Sequence, residues 1–282
     1  DLRELGQRIL QEDTDLAFAV RAHGLRVLYQ PLSQVVHYEG VTSGTDLGSG
    51  IKAYQVRNRE RFLDKWQSVL ATHGSAEGRA PRLSADRRPQ ARMLVIDACT
   101  PTPDQDSGSI DMVNLLRMLD DFGYRVSFIP ESDLLFSGAY TRALQGRGVE
   151  CLYHPYTPSV EQVLQARGEE FDAVMLVRGP HAYHYVDMVK RYCPRAKIIF
   201  NTVDLHFLRE QRKAQLETGS PRSAMADEMH RKEMHVIERA DTTIVISPVE
   251  QELLAREAPA ARVRVIPLLR EIPGRSQGFG PR

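Results

Sequence analysis

Cysteine is scarce: Cys99, Cys151 and Cys193 are the only three in 282 residues. They are too few and too far apart for a disulfide framework or a zinc knuckle, and a reducing compartment fits them best. Net charge is absent too, with 37 Lys and Arg against 37 Asp and Glu. That balance argues against a strong basic footprint for nucleic acid. Lysine itself is rare, six against 31 arginines, which reads as genome composition rather than function. No apolar run approaches the roughly 20 residues needed to span a bilayer. The start, Asp1-Leu2-Arg3-Glu4, has neither Met nor an apolar leader, and reads as a chain beginning inside a longer protein. The three-glycine dinucleotide fingerprint and the P-loop are missing, which speaks against a sugar-nucleotide oxidoreductase or epimerase.

What is present is enough apolar sequence, 42%, for a sizeable core. Residues 71–91 carry no helical or strand periodicity and combine Gly, Pro, Ser and charge, so they read as a solvated linker. Four segments follow: 1–70, the linker 71–91, a long domain 92–269 and a Gly-rich polar tail 270–282. In the long domain strand-like runs start at Met93 and recur at Arg125–Ile129, Val149–Tyr153, Ala173–Val177, Lys197–Asn201, Thr243–Ile246 and Val263–Ile266. Helical patterns lie between them at Ile110–Phe122, Tyr140–Gln145, Val160–Ala166, Tyr183–Tyr192, Ala224–Arg239 and Val249–Arg256. Ser247-Pro248-Val249-Glu250 gives the last helix a capping box. Such alternation implies an α/β fold with a doubly wound parallel sheet, whose ligands bind at the carboxyl ends of the strands.

The segment 1–70 reads as one helix, Asp13–Ala22, followed by short strands at Arg26–Tyr29 and Gln34–Tyr38. That is too little for an independent core. Glu12-Asp13-Thr14-Asp15 opens the helix, where carboxylates also serve as simple caps. Together with Gly24-Leu25-Arg26-Val27-Leu28-Tyr29-Gln30-Pro31, Val35-Val36-His37-Tyr38-Glu39-Gly40 and Arg57 to Trp66, it resembles the closing third of a family 2 glycosyltransferase domain of the GT-A fold. The resemblance implies that Asp13 is the general base toward an acceptor hydroxyl. It places Glu12 and His37 near the donor diphosphate or a divalent cation, Mg or Mn, with His37 as a candidate ligand. Asp15 is a positioning or capping group. The donor-binding strand and the Asp-any-Asp motif of that family have no counterpart before Glu12.

In the long domain Asp104 to Ser109 lies between the first strand and its helix, and Gly108 permits close backbone approach to a ligand there. A receiver domain is disfavoured, because the strand ending Glu150-Cys151-Leu152-Tyr153-His154 lacks a phosphoacceptor Asp. Residues 93–269 resemble the N-terminal Rossmann-like half of a GT-B glycosyltransferase of the family 4 type. The stretches that carry this are Met93–Leu119, Ile198–Arg209 and Ala240–Glu250. The resemblance implies that this half holds the acceptor, with Ser107, Gly108, Asp204, His206 and Arg209 as substrate-binding candidates, Arg178 as a weaker one, and no cofactor of its own.

The combined expectation is a slice of a bacterial-type tandem glycosyltransferase. It would use a nucleotide sugar as donor and a glycan or lipid-linked acceptor, in the cytoplasm or at the inner face of the membrane. The alternative is a non-catalytic Rossmann-like binding module, since fold does not imply function.

Overall fold

The computed structural model describes residues 12–25, 27, 28, 33, 34, 36, 53–73, 83, 91–220 and 223–270. It divides into two compact units at Arg87/Arg88. The expected linker, apart from Ala71–His73, Leu83 and Ala91, and the expected tail beyond Arg270 lie outside the described residues. Ala91 itself already belongs to a strand.

In the first unit helix α1 (Glu12–Ala22) and helix α2 (Ala53–Leu70) are described. They are joined through Phe18, whose ring meets Phe62 edge-on at 5.0 Å and Trp66 at 5.4 Å. Asp15 adds a polar clamp: it accepts from Trp66 Nε1 at 2.6 Å and from Lys65 Nζ at 2.8 Å. The lysine holds the Asp15 carboxyl below its usual range, helped by the indole. Of the two expected strands, Val27, Leu28, Gln34 and Val36 are described, and none lies in a strand. A short apolar run becomes a strand only when another strand takes up its backbone groups, and no described residue of this unit does so.

The second unit is a seven-stranded, wholly parallel α/β sheet. Its elements run β1 (Ala91–Asp97), α3 (Ser107–Asp121), β2 (Tyr124–Pro130), α4 (Ala139–Gly146), β3 (Glu150–Cys151), α5 (Val160–Arg167), β4 (Ala173–Val177) and α6 (Gly179–Tyr192). There follow β5 (Lys197–Asn201), α7 (His206–Thr218), α8 (Ala224–Arg239), β6 (Thr242–Val245), α9 (Pro248–Glu257) and β7 (Val263–Val265). The spatial order is β3-β2-β1-β4-β5-β6-β7.

Strand periodicity of two divides the core into two layers. Leu94, Ile96, Val174, Leu176 and Phe200 join Val163 and Leu164 of α5, Val186 of α6, Phe207 of α7, Val236 of α8 and Leu254 of α9. Met93, Val95, Phe128, Met175 and Val177 join Met112, Leu116 and Leu119 of α3 and Leu144 of α4. Helices thus cover both faces, which makes the sheet doubly wound.

Several caps follow their sequence signals. Ser247 starts α9 with both halves of the capping box formed around Pro248 and Glu250, and Ser159 and Ser223 cap α5 and α8. Element limits shift elsewhere, most at two places. β3 has two residues instead of five, because only Ser127 and Phe128 of β2 pair with it. Helix α7 stands where no helix was expected, directly after β5. Beyond β7 the chain turns back to α3, where Asn114 Nδ2 donates to the Leu269 carbonyl at 3.0 Å and the Leu269 N–H donates to Asp111.

Candidate functional site

The winding of the sheet fixes where a ligand can enter. Strand β1 leads through α3 to β2 on one side, while β4 lies on its other side with the opposite face of the sheet covered. The order reverses between β1 and β4, so their carboxyl ends flank a crevice. Among the described residues, those other than glycine with positive φ are Leu134 (51°), Arg178 (64°) and Val203 (63°). They follow β2, β4 and β5, all at this edge. Each such conformation costs roughly 1–3 kcal/mol and persists where surrounding bonds impose it, typically at functional sites. Here the Arg178 N–H donates to the Asn201 carbonyl at 3.0 Å, and the Val203 N–H to the Asn201 side chain at 3.2 Å.

Asp97, the last residue of β1, is 2% exposed. Arg178, just past the adjacent strand β4, donates to the Asp97 carboxylate, and the Ala98 N–H adds a bond at 2.7 Å. Burial lifts the Asp97 carboxyl above its usual range, while Arg178 pulls the other way. Next to this pair, Glu131 follows β2 and tethers itself to β1, its N–H donating to the Asp97 carbonyl at 2.8 Å. Its carboxylate holds Nδ1 of His181 and accepts from the Tyr185 hydroxyl at 2.8 Å, both on α6. Burial and the Glu131 bond push the Tyr185 phenol well up, so it stays a donor at all ordinary pH. The Cys99 thiol is raised by burial and by the neighbouring Asp97 charge, and is no ready nucleophile.

Ser107 and Gly108 form the first turn of α3. Asp106 caps that turn, accepting from the Ser109 N–H at 2.8 Å and the Ser109 hydroxyl at 2.5 Å. The Ser109 bonds hold the Asp106 carboxyl low. Gly108 lies close to Arg178 and Asp106: a Cβ there would stand 3.3 Å from Asp106 Oδ1 and 3.6 Å from an Arg178 nitrogen. Gly108 therefore lies beside Arg178, and Ser107 precedes it in the same turn.

The other three candidates gather past β5. His206 is the first residue of α7 and is buried, its Nδ1 3.2 Å from the Asp204 carbonyl and 3.4 Å from Glu233. Asp204 also pairs with Arg209 at 3.2 Å. Glu233, on α8 and 0% exposed, accepts the N–H groups of His206 at 2.9 Å and Phe207 at 2.8 Å. It caps a helix whose own N-cap, Leu205, offers no side-chain bond. Arg209 is exposed and Asp204 partly so, whereas His206 is enclosed in the support of this loop.

In the first unit Asp13 is exposed in the opening turn of α1. His37 and the side chain of Glu12 lie outside the described residues. Among the described residues no three His, Cys, Asp or Glu stand together as metal ligands. Asp15, the neighbouring carboxylate, is committed to Lys65 and Trp66.

Glu131, His181, Tyr185 and Glu233 were not among the sequence candidates, and Asp97 was not offered as a binding residue. A signal existed for two of them: Glu131 and His181 stand one and four residues beyond the ends of their strands, where a doubly wound sheet presents its ligand-facing groups. A separate polar groove of about 390 Å³ on the outside of α6 and α8 is lined by Tyr183, Glu228, Arg231, Lys232 and His235. Lys232 and His235 are already paired there, with Glu228 at 2.6 Å and Asp187 at 2.8 Å.

No protein-family model matches the sequence, and no curated protein matches it. Solved structures are similar to part of it, and the three that follow are GT-B glycosyltransferases. Sucrose-phosphate synthase from Thermosynechococcus elongatus is similar over 63% of this chain and 48% of its own, with 14% identity and a TM-score of 0.43. UGT73P12 of Glycyrrhiza uralensis, complexed with glycyrrhetinic acid 3-O-monoglucuronide, is similar over 62% and 48%, with 9% identity and a TM-score of 0.41. Apo UGT2 of Phytolacca americana gives 64% and 53%, 9% and 0.41. The chain spans about half the length of each. Likeness at this level carries none of the argument, and the fold class rests on the sheet itself. Among the described residues no helix is long and apolar enough to cross a membrane.

Proposed function

We propose that the chain serves glycosyl transfer, its second unit being the acceptor-binding half of a GT-B-type glycosyltransferase. The observation that carries this reading is the charge of the crevice. Asp97, Asp106 and Glu131 line it, and Arg178 and His181 beside them are already bound to Asp97 and Glu131. Carboxylates and a carboxylate-held imidazole suit the hydroxyl groups of a sugar or glycan. A phosphate would meet repulsion there, so the donor nucleotide sugar belongs mainly to a second half. His181 is held through Nδ1, and Nε2 remains to receive a hydroxyl proton. Ser107 and Gly108 line the same crevice, while Asp204 and Arg209 flank it at β5.

The remainder of the reading comes from the sequence resemblance. The first unit would be the end of a GT-A module in tandem, with Asp13 as base and with Glu12 and His37 beside a donor diphosphate or an Mg or Mn ion. The acceptor would be a glycan or a lipid-linked saccharide, handled in the cytoplasm or at the inner membrane face where nucleotide sugars occur.

NMR titration of the 282-residue chain with glucose and, separately, with uridine diphosphate tests the crevice. Glucose should move the His181 ring and Arg178 guanidinium signals at millimolar concentration, and uridine diphosphate should do so less. Tight diphosphate binding with no response to glucose would overturn the acceptor assignment.

A further inference from the structure

Beyond the crevice, the loops after β2 and β3 carry a group of aromatic rings that remain in large part exposed. Tyr156 is 83% exposed and Phe136 and Leu135 are exposed as well. The rings are contiguous: Phe136 and Tyr153 stand 5.1 Å apart at 51°, and Tyr153 and Tyr156 stand 5.8 Å apart at 79°. A single exposed ring needs no explanation, but a contiguous exposed patch marks an interaction site.

The patch is built, not loose. The Leu134 carbonyl accepts from the His154 N–H at 2.8 Å, which ties the two loops together at the residue whose φ is positive. Within the second loop the Thr157 N–H donates to the Tyr153 carbonyl at 2.9 Å, and Thr157 is buried beneath. In the first loop the Leu135 N–H donates to Asp133 at 2.9 Å and the Ser137 N–H to Thr141 at 2.9 Å. Arg142 lies over the Phe136 ring at 5.4 Å. On the neighbouring turn of α4, Tyr140 bonds Asp104 at 2.8 Å and accepts from Gln105 at 3.1 Å.

We infer that this patch is a saccharide-binding platform, taking the rings of a glycan whose end lies in the crevice. The inference rests on the acceptor reading above. Ring faces carry negative quadrupole charge, and the C–H groups on one side of a pyranose, polarised by their oxygens, lie flat against such faces. The fringe of Arg142, Gln105, Asp104 and Tyr140 offers donors and acceptors to hydroxyl groups around the ring edge. Aliphatic chains of a lipid would have little use for that polar border. From the β2/β3 ends to the β1/β4 crevice is two strand spacings, roughly 10 Å. One monosaccharide in the crevice does not reach the platform, and a short oligosaccharide does.

The experiment titrates the wild-type chain, Tyr156→Ala and Tyr153→Ala with glucose, maltohexaose and cellohexaose, reading ring signals of Phe136, Tyr153 and Tyr156 beside those of His181 and Arg178. One hexasaccharide should bind about tenfold more tightly than glucose and move both sets of signals. Tyr156→Ala, at an exposed position that folding does not need, should remove that tenfold and leave the glucose affinity unchanged. If glucose moves the crevice signals but neither hexasaccharide moves the rings or gains affinity, the platform is refuted and the acceptor reading stands. If a hexasaccharide moves the rings without the crevice, the rings bind saccharide on their own, and both the link to the crevice and the acceptor reading fall. Silence of both sets refutes both.

Discussion

Glu233 gives the sharpest test of how the ligand-facing edge is held together. Its carboxylate, fully buried, accepts the N–H groups of His206 and Phe207 at the start of α7. In Glu233→Gln one amide oxygen can still accept, but the NH₂ group faces the second backbone donor and leaves it orphaned. An unsatisfied buried donor costs about 1–3 kcal/mol, and losing negative charge at a helix N-terminus costs roughly 0.3–2 more. Gln offsets part of this because a neutral side chain escapes the desolvation a carboxylate suffers. The net expectation is about 2 kcal/mol. Glu233→Ala orphans both donors and leaves a cavity, for roughly 4 kcal/mol. At 2–4 °C per kcal/mol for a unit of this size, the Gln variant should melt about 4–8 °C low, and the Ala variant lower again. Thermal and urea unfolding followed by far-UV circular dichroism would measure both. A Cβ on Gly179 would stand 2.3 Å from Glu233 Cγ, so Gly179→Ala should destabilise wild type by about 1–3 kcal/mol and do so less in the Glu233→Ala background. A Gln variant within about 0.5 kcal/mol of wild type, the range of an ordinary surface change, would refute the view that this carboxylate caps α7.

Three further outcomes are expected. Asp15 titrates below its ordinary 3.8 because Lys65 and then Trp66 favour its ionised form. Its clamp is therefore complete above that value and lost as pH falls through the lower folded one. Emission of Trp66, the single tryptophan, should change in that acid window, and Asp15→Asn should abolish the step; a step that survives the substitution contradicts the clamp. Arg178→Ala leaves Asp97 buried without its cation and should cost roughly 3–5 kcal/mol, much of it regained in the Asp97→Asn/Arg178→Ala pair; equal melting of the single and double variants would deny the coupling. Gly168→Ala would place a Cβ 2.1 Å from the Tyr192 carbonyl oxygen. That backbone cannot yield as a side chain would, so a loss of at least about 2 kcal/mol is expected in urea unfolding, and a neutral result would mean that the 168–170 turn moves freely.

The sheet was legible because buried parallel strands write themselves as short apolar runs, and β4 and β5 match their expected limits residue for residue. Caps that act locally, such as Ser247 with Glu250, were legible for the same reason. Helix α7 was not. Its stretch His206–Thr218 is dominated by charge, Leu216 points to solvent, and its cap comes from Glu233, 27 residues downstream. Helix α6 was read four residues short, since Gly179 and Pro180 look like a break where they in fact start a helix. The pairing of Asp97 with Arg178 spans 81 positions and becomes visible only once β1 and β4 are known to be neighbours. Of the sequence candidates, Ser107 and Gly108 belong to that crevice and Asp204, His206 and Arg209 to the β5 loop, while His37 lies outside the described residues.

The bonds at Leu269 give the domain a mechanical property. The backbone leaving the outermost strand β7 is moored by its N–H to Asp111 and by its carbonyl to Asn114, on the first crossover helix. That helix begins at Asp106, Ser107 and Gly108, which line the crevice. Leu269 is therefore tied to α3 directly and not only through the edge of the sheet. The mooring makes α3, and not the edge of the sheet, the anchor of this end of the described domain.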